Sequence, residues 1–221
     1  FISNLFQRKL GALAIFVLLL GLPAFAMAGE ENVVLKFGPS DMIYLGISGA
    51  IGLFAIIVAF GYRKKILAMS PGNEKMQEVG KAINDGALAY LAKQRNTISI
   101  FVVILGIGLG ALYASRYDIQ AGILIAVAFV FGVAASYIAG YMGMTMAVAS
   151  NMRTANAALT KFGKALECAF QSGAVAGLFT VGMGLIGATA IFAFGGVHAM
   201  KLLIGFGFGG SLAALFMRVG G

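Results

Sequence analysis

Residues 121–150 read AGILIAVAFVFGVAASYIAGYMGMTMAVAS, thirty positions without one charged side chain. A run of this length decides the fold class, because about 20 apolar residues rising ~1.5 Å each already cross the roughly 30 Å hydrocarbon core of a bilayer. Lipid offers backbone N–H and C=O groups no partner, so such a run spans as a helix that satisfies them internally. Small residues recur in it, at Gly132-Val-Ala-Ala-Ser136 and Gly140-Tyr-Met-Gly143. They let neighbouring helix backbones approach closely.

The same pattern repeats outward from this run. Apolar spans at 42–62, 98–114, 169–194 and 202–221 complete a set of five, so the sequence predicts an all-α, polytopic membrane helix bundle. Composition agrees: 60% of the 221 residues are hydrophobic and 11% are charged, against about a quarter charged in soluble domains. The mean hydropathy is +0.94. A net charge of +8 would suggest nucleic acid as the partner of a soluble protein. Here the basic residues fall between apolar runs, with no basic block interleaved with aromatics, so the expected partner is the lipid bilayer and not nucleic acid. The single cysteine, Cys168, makes no internal disulfide, and the single histidine, His198, builds no zinc site alone. Both are expected to be packing or interface residues.

Arg8 and Lys9 precede an apolar stretch through Leu22, which closes in Pro23-Ala-Phe-Ala-Met-Ala28. A basic start, an apolar middle and an A-x-A close describe a secretory signal peptide over residues 1–28, or an extra transmembrane helix if it is retained; cleavage is the favoured reading. Either way the tail from Gly29 to Asp41 is delivered outside. Alternating sides from there places Arg8, Lys9, the connector 63–96 and the connector 151–168 together. That side holds twelve basic residues and the opposite side three, Lys36, Arg116 and Lys201. The positive-inside rule makes the richer side cytoplasmic.

The connector 63–96 opens with Arg63-Lys-Lys65 and turns at Ser70-Pro-Gly-Asn73. From Glu74 to Asn96 its apolar residues Met76, Val79, Ile83, Ala87, Tyr90 and Leu91 recur at intervals of three and four, a helical stripe. A cytoplasmic helix lying on the bundle or the headgroups is expected.

Near the carboxyl end, Gly205, Gly207 and Gly210 match the G-x-G-x-x-G spacing of a dinucleotide loop. That fingerprint needs a preceding strand and an acidic residue some twenty positions later, and neither is here. Helix packing is the better account, as it is for Gly108 and Gly110. Arg218 differs, because a guanidinium keeps its charge and is costly in hydrocarbon without a partner or water. It lies roughly 25 Å along a helix that starts near Lys201. It is either a snorkelling arginine at a helix end or a buried arginine beside an ion path. Ser211, two turns earlier on the same face, is either a helix–helix hydrogen bonder or a lining of that path.

Four longer motifs carry a family resemblance. Gly80-Lys-Ala-Ile-Asn-Asp-Gly-Ala-Leu-Ala-Tyr-Leu91, the segment Tyr137 to Ala158, Ala169-Phe-Gln-Ser-Gly-Ala-Val-Ala-Gly-Leu178 and the closing Gly210 to Gly221 resemble the membrane-bound, ion-translocating inorganic pyrophosphatases from about residue 75 onward. The resemblance implies a homodimeric integral membrane enzyme of about sixteen helices that hydrolyses pyrophosphate with Mg2+, with K+ as a possible activator. It would drive H+ or Na+ outward, in a bacterial inner membrane.

The chain then resembles the first five helices of such an enzyme, six with a retained start. Arg218 matches the arginine of the family's ion-gate network, and Ser211 a position lining the coupling region. The family's lysine and aspartates for Mg-pyrophosphate follow the glycines on which the chain closes. No catalytic or metal residue is therefore expected here, and this piece alone is expected to be inactive. Arg95 and Asn96 also depart from the aromatic and basic pair common at that place in the family. The alternative reading is a non-enzymatic transporter subunit or channel scaffold.

Overall fold

The computed structural model describes residues 38–220, the side chains at 39, 197 and 218–220 excepted. The expected signal peptide or extra helix at 1–28, and most of the tail after it, lie outside the described residues. Five helices follow, joined by short turns: α1 (Pro39–Leu67), α2 (Glu74–Arg116), α3 (Ile119–Ala158), α4 (Phe162–Phe194) and α5 (Ala199–Gly220), with a 3-10 turn at Gly196–His198. All five are long and apolar enough to cross a membrane. The polytopic all-α architecture expected from the sequence is therefore the architecture observed.

Local chemistry sets the helix starts. At α1 the Asp41 carboxylate accepts the Gly38 N–H at 2.8 Å. At α2 the Asn73 side chain accepts the Met76 N–H at 2.9 Å, and at α3 Asp118 accepts the Ala121 N–H at 2.8 Å. Each satisfies one of the orphan donors that a helix leaves at its start. Gly72 supplies the backbone that the turn between α1 and α2 needs, with φ of 94°, a region costly for residues bearing a Cβ.

One expectation is corrected. The connector helix is not a separate piece lying on the bundle; Glu74 to Arg116 is a single helix of 43 residues that continues into the second span. Gln94-Arg95-Asn96-Thr97, at the seam, contains no proline or glycine to break the turn-by-turn hydrogen bonding. The stripe is also rotated. Val79 and Ile83 are exposed, while Gly80 and Leu91 are buried, Gly80 beneath the Met152 side chain.

The central helix is α3, on which α2, α4 and α5 pack; α1 packs against α4. Glycines sit where backbones touch. A Cβ at Gly132 would strike the Phe206 carbonyl of α5, and one at Gly209 the Phe129 carbonyl of α3. Gly182 of α4 and Gly52 of α1 face one another likewise, as do Gly110 and Gly122 across α2 and α3. Cys168 is fully buried, in a cluster with Ala59, Ile66, Met146 and Phe179. Large apolar side chains on the outer face, such as Ile43, Phe54 and Ile57 of α1, are exposed. Lipid tails match them in polarity, so a membrane helix carries them without penalty.

The antiparallel hairpins gather the loops at two ends. At one, Lys65 of α1 bonds Glu167 of α4 at 2.7 Å, and Arg153 of α3 reaches the Leu67 and Met69 carbonyls at the end of α1. At the other, the Lys201 ammonium stands 3.3 Å over the Tyr117 ring. This is a cation–π contact joining the start of α5 to the end of α2.

Candidate functional site

An open groove of about 1240 Å³ runs along α3, walled by α2, α4 and α5. Its floor and walls are mostly glycine and alanine, including Gly86, Ala87, Gly140, Gly143, Gly207 and Ala214. Few polar side chains enter it: Tyr90, Ser136, Asn151, Thr180 and Ser211. Ser211 is exposed into this space and makes no protein hydrogen bond among those described for the bundle. Arg218 follows two turns later, about 10 Å along α5 at ~1.5 Å per residue. Its backbone is helical, and its side chain lies outside the described residues. The two residues singled out from the sequence thus share α5, one of them on the groove.

The glycines of the G-x-G-x-x-G match do not form a loop. They lie inside α5. Gly205 is buried against the Ile125 carbonyl of α3, whereas a Cβ at Gly207 would meet nothing within 4 Å. No phosphate cradle follows from them, because helix-interior N–H groups are already bonded.

Two residues near the end of α5 escaped the sequence reading. The Tyr90 hydroxyl of α2 donates to the Phe216 carbonyl at 3.3 Å, and the Gln94 amide donates to that hydroxyl at 2.5 Å. Sequence pattern placed Tyr90 in an apolar stripe, and periodicity cannot tell where a phenol tip points. Arg153 carries no sequence signal beyond its positive charge. Its guanidinium serves three backbone carbonyls, those of Met69, Ala149 and Leu67.

Carboxylates do not converge. Asp41 and Asp118 cap helices, Glu167 is held by Lys65 and by Gln171 at 2.8 Å, and among the described residues no three His, Cys, Asp or Glu side chains could hold a metal together. A hard divalent cation wants several oxygen ligands at one point. The described residues of this chain do not fit magnesium.

These features define a polytopic α-helical membrane protein with a small-residue groove along its central helix and its charged groups gathered at the bundle ends. Residues 53–221 match the model of the family described as inorganic H+ pyrophosphatase. The chain belongs to that family. It is 45% identical to a K(+)-insensitive pyrophosphate-energized proton pump of Chloroflexus aurantiacus, the match covering 77% of this chain and 24% of the relative. Similar pumps from Methanosarcina mazei, 39% identical over 77% of this chain and 24% of the relative, and Streptomyces avermitilis, 38% over 82% and 24%, match likewise. The chain spans about a quarter of the length of these relatives.

Proposed function

We propose that this chain forms the amino-terminal part of a membrane pyrophosphatase that couples Mg-pyrophosphate hydrolysis to outward ion translocation. The carrying observation is the family match over residues 53–221, which includes the whole of α5. Relatives named as K(+)-insensitive proton pumps favour H+ over Na+ as the ion and a pump with no need of K+. The hydrolytic lysine and the magnesium-binding aspartates belong, in this reading, to the protein beyond this chain. The intact protein works as a homodimer in the cell membrane, with the connectors around residues 63–96 and 151–168 on the cytoplasmic side. Twelve basic residues against three support that orientation.

Within α5, Arg218 is assigned to the path of charge between hydrolytic site and exit, and Ser211 to its lining. The guanidinium suits the role because it cannot deprotonate and so holds a fixed positive charge beside a moving one. The test is made on the full-length protein in inverted membrane vesicles. Adding Mg-pyrophosphate should acidify the lumen, read by a quenched acridine dye, with recovery on adding a protonophore and no change when K+ is omitted. Vesicles that hydrolyse nothing and acidify nothing would sink the reading. Pyrophosphate-dependent Na+ uptake without acidification would replace the ion.

A further inference from the structure

Near its carboxyl end α5 is held from two sides at adjacent residues. Phe216 is gripped by α2 twice: its carbonyl accepts the Tyr90 hydroxyl at 3.3 Å, and its ring packs on Phe101 with centroids 5.1 Å apart. Met217 is buried and lies over Gly140 of α3. Elsewhere α5 leans on α3 and meets α2 sparsely. Tyr90 itself is oriented by Gln94, whose amide donates to the phenol oxygen and leaves the hydroxyl proton for the Phe216 carbonyl.

Phe216 is the second residue before Arg218, so its backbone fixes the height and rotation from which the arginine departs. The pair is half-buried on the wall of the groove, so removing the donor leaves the Phe216 carbonyl only partly compensated by water.

We propose that Tyr90, held by Gln94, is a positioning residue for the α5 segment that carries Arg218. The inference rests on the preceding reading for its functional consequence, but not for its geometry. Removing the hydroxyl deprives the Phe216 carbonyl of that bond and lets this segment of α5 shift or rotate, while the ring still fills its place.

The experiment uses the full-length protein in inverted vesicles. Its first readout is the rate at which a methanethiosulfonate reagent labels Arg218→Cys, in a background with Cys168 and every cysteine outside this chain replaced, with and without Tyr90→Phe. Its second is protons pumped per pyrophosphate hydrolysed, a ratio that divides out protein lost to misfolding. Tyr90→Phe should change the labelling rate at position 218 several-fold and lower the ratio, with Gln94→Leu producing the same direction of change. A labelling rate unchanged within about twofold overturns the proposal. Arg218→Ala serves as the separate control: an unchanged ratio in that variant removes Arg218 from the coupling path, whatever Tyr90 does to its position.

Discussion

Ser150 and Ser172 meet across the α3–α4 interface, the Ser150 hydroxyl donating to that of Ser172 at 2.8 Å with both side chains buried. Ser172 in turn faces the Met146 carbonyl at 3.5 Å. Interhelical hydrogen bonds in membranes average about 0.6 kcal/mol and reach about 1.7. Ser172→Ala should therefore destabilise the bundle by an amount in that range, read by detergent-denaturant unfolding of the full-length protein. A double-mutant cycle with Ser150→Ala should return a coupling of roughly 0.6 kcal/mol. Strictly additive single losses would show that the two hydroxyls do not support each other.

Glycine position, not glycine content, governs the crossing of α3 and α5. Gly132 lies against the Phe206 carbonyl, and a methyl there forces the two backbones apart. Gly132→Ala should cost at least the ~1–3 kcal/mol typical of overpacking. Gly108, with nothing within 4 Å of an added Cβ, should accept alanine with no loss, or with a gain of up to ~1 kcal/mol from helix propensity. Midpoints of thermal unfolding in detergent for the two variants distinguish the cases, and equal losses would contradict the packing account.

Much of this architecture was legible in the sequence because lipid imposes a single solution on an uncharged run such as 121–150. The turn at Ser70-Pro-Gly-Asn73 was likewise signalled by residue type, whereas the caps at Asn73 and Asp118 emerge only in the structure. Less legible was where a helix stops when its sequence changes from polar to apolar without a breaker, as between Lys93 and Ile98. The helical period continues through such a seam, so the connector and the second span merge into α2. Nor does periodicity show which partner covers a face, which is why Val79 and Ile83 are open and Gly80 is closed. At the candidate site, residue identity pointed to Arg218 and Ser211 on α5. The contacts of Tyr90, Gln94 and Arg153 link residues up to 126 positions apart and leave no mark on local pattern.

The ion pair between Lys65 and Glu167 is short, at 2.7 Å, yet about half of each side chain is exposed. Water and salt screen such a pair, and measured exposed pairs contribute about 0–1 kcal/mol. Glu167→Gln should lower the unfolding midpoint by only a degree or two in low salt, and by less still in 0.5 M salt. A large, salt-independent loss would mean that the pair is enclosed in the assembled protein.

Arg153 of α3 ties α3 to the end of α1 and the turn that follows it. Its Nε reaches the carbonyl of Met69, just past α1, at 3.2 Å, and one terminal nitrogen that of Leu67, the last residue of α1, at 3.3 Å, while the other holds Ala149 within α3. Asn156 adds the Ser70 carbonyl at 3.3 Å. Three carbonyls that the end of α1 and the following turn would otherwise leave to solvent, those of Leu67, Met69 and Ser70, are thus served by two α3 side chains. Hydrogen bonds to a charged group are worth about 1.5–3 kcal/mol, and lysine, with one point charge in place of a planar fork, cannot span the same carbonyls. Arg153→Lys should therefore loosen residues 68–73 despite keeping the charge, and Arg153→Met should loosen them further. Proteinase K cleavage mapped by mass spectrometry should rise several-fold at that turn in both variants, in inverted vesicles and not in right-side-out ones. Unchanged cleavage in Arg153→Lys would show that charge alone holds the turn, and cleavage from the opposite face would reverse the proposed orientation.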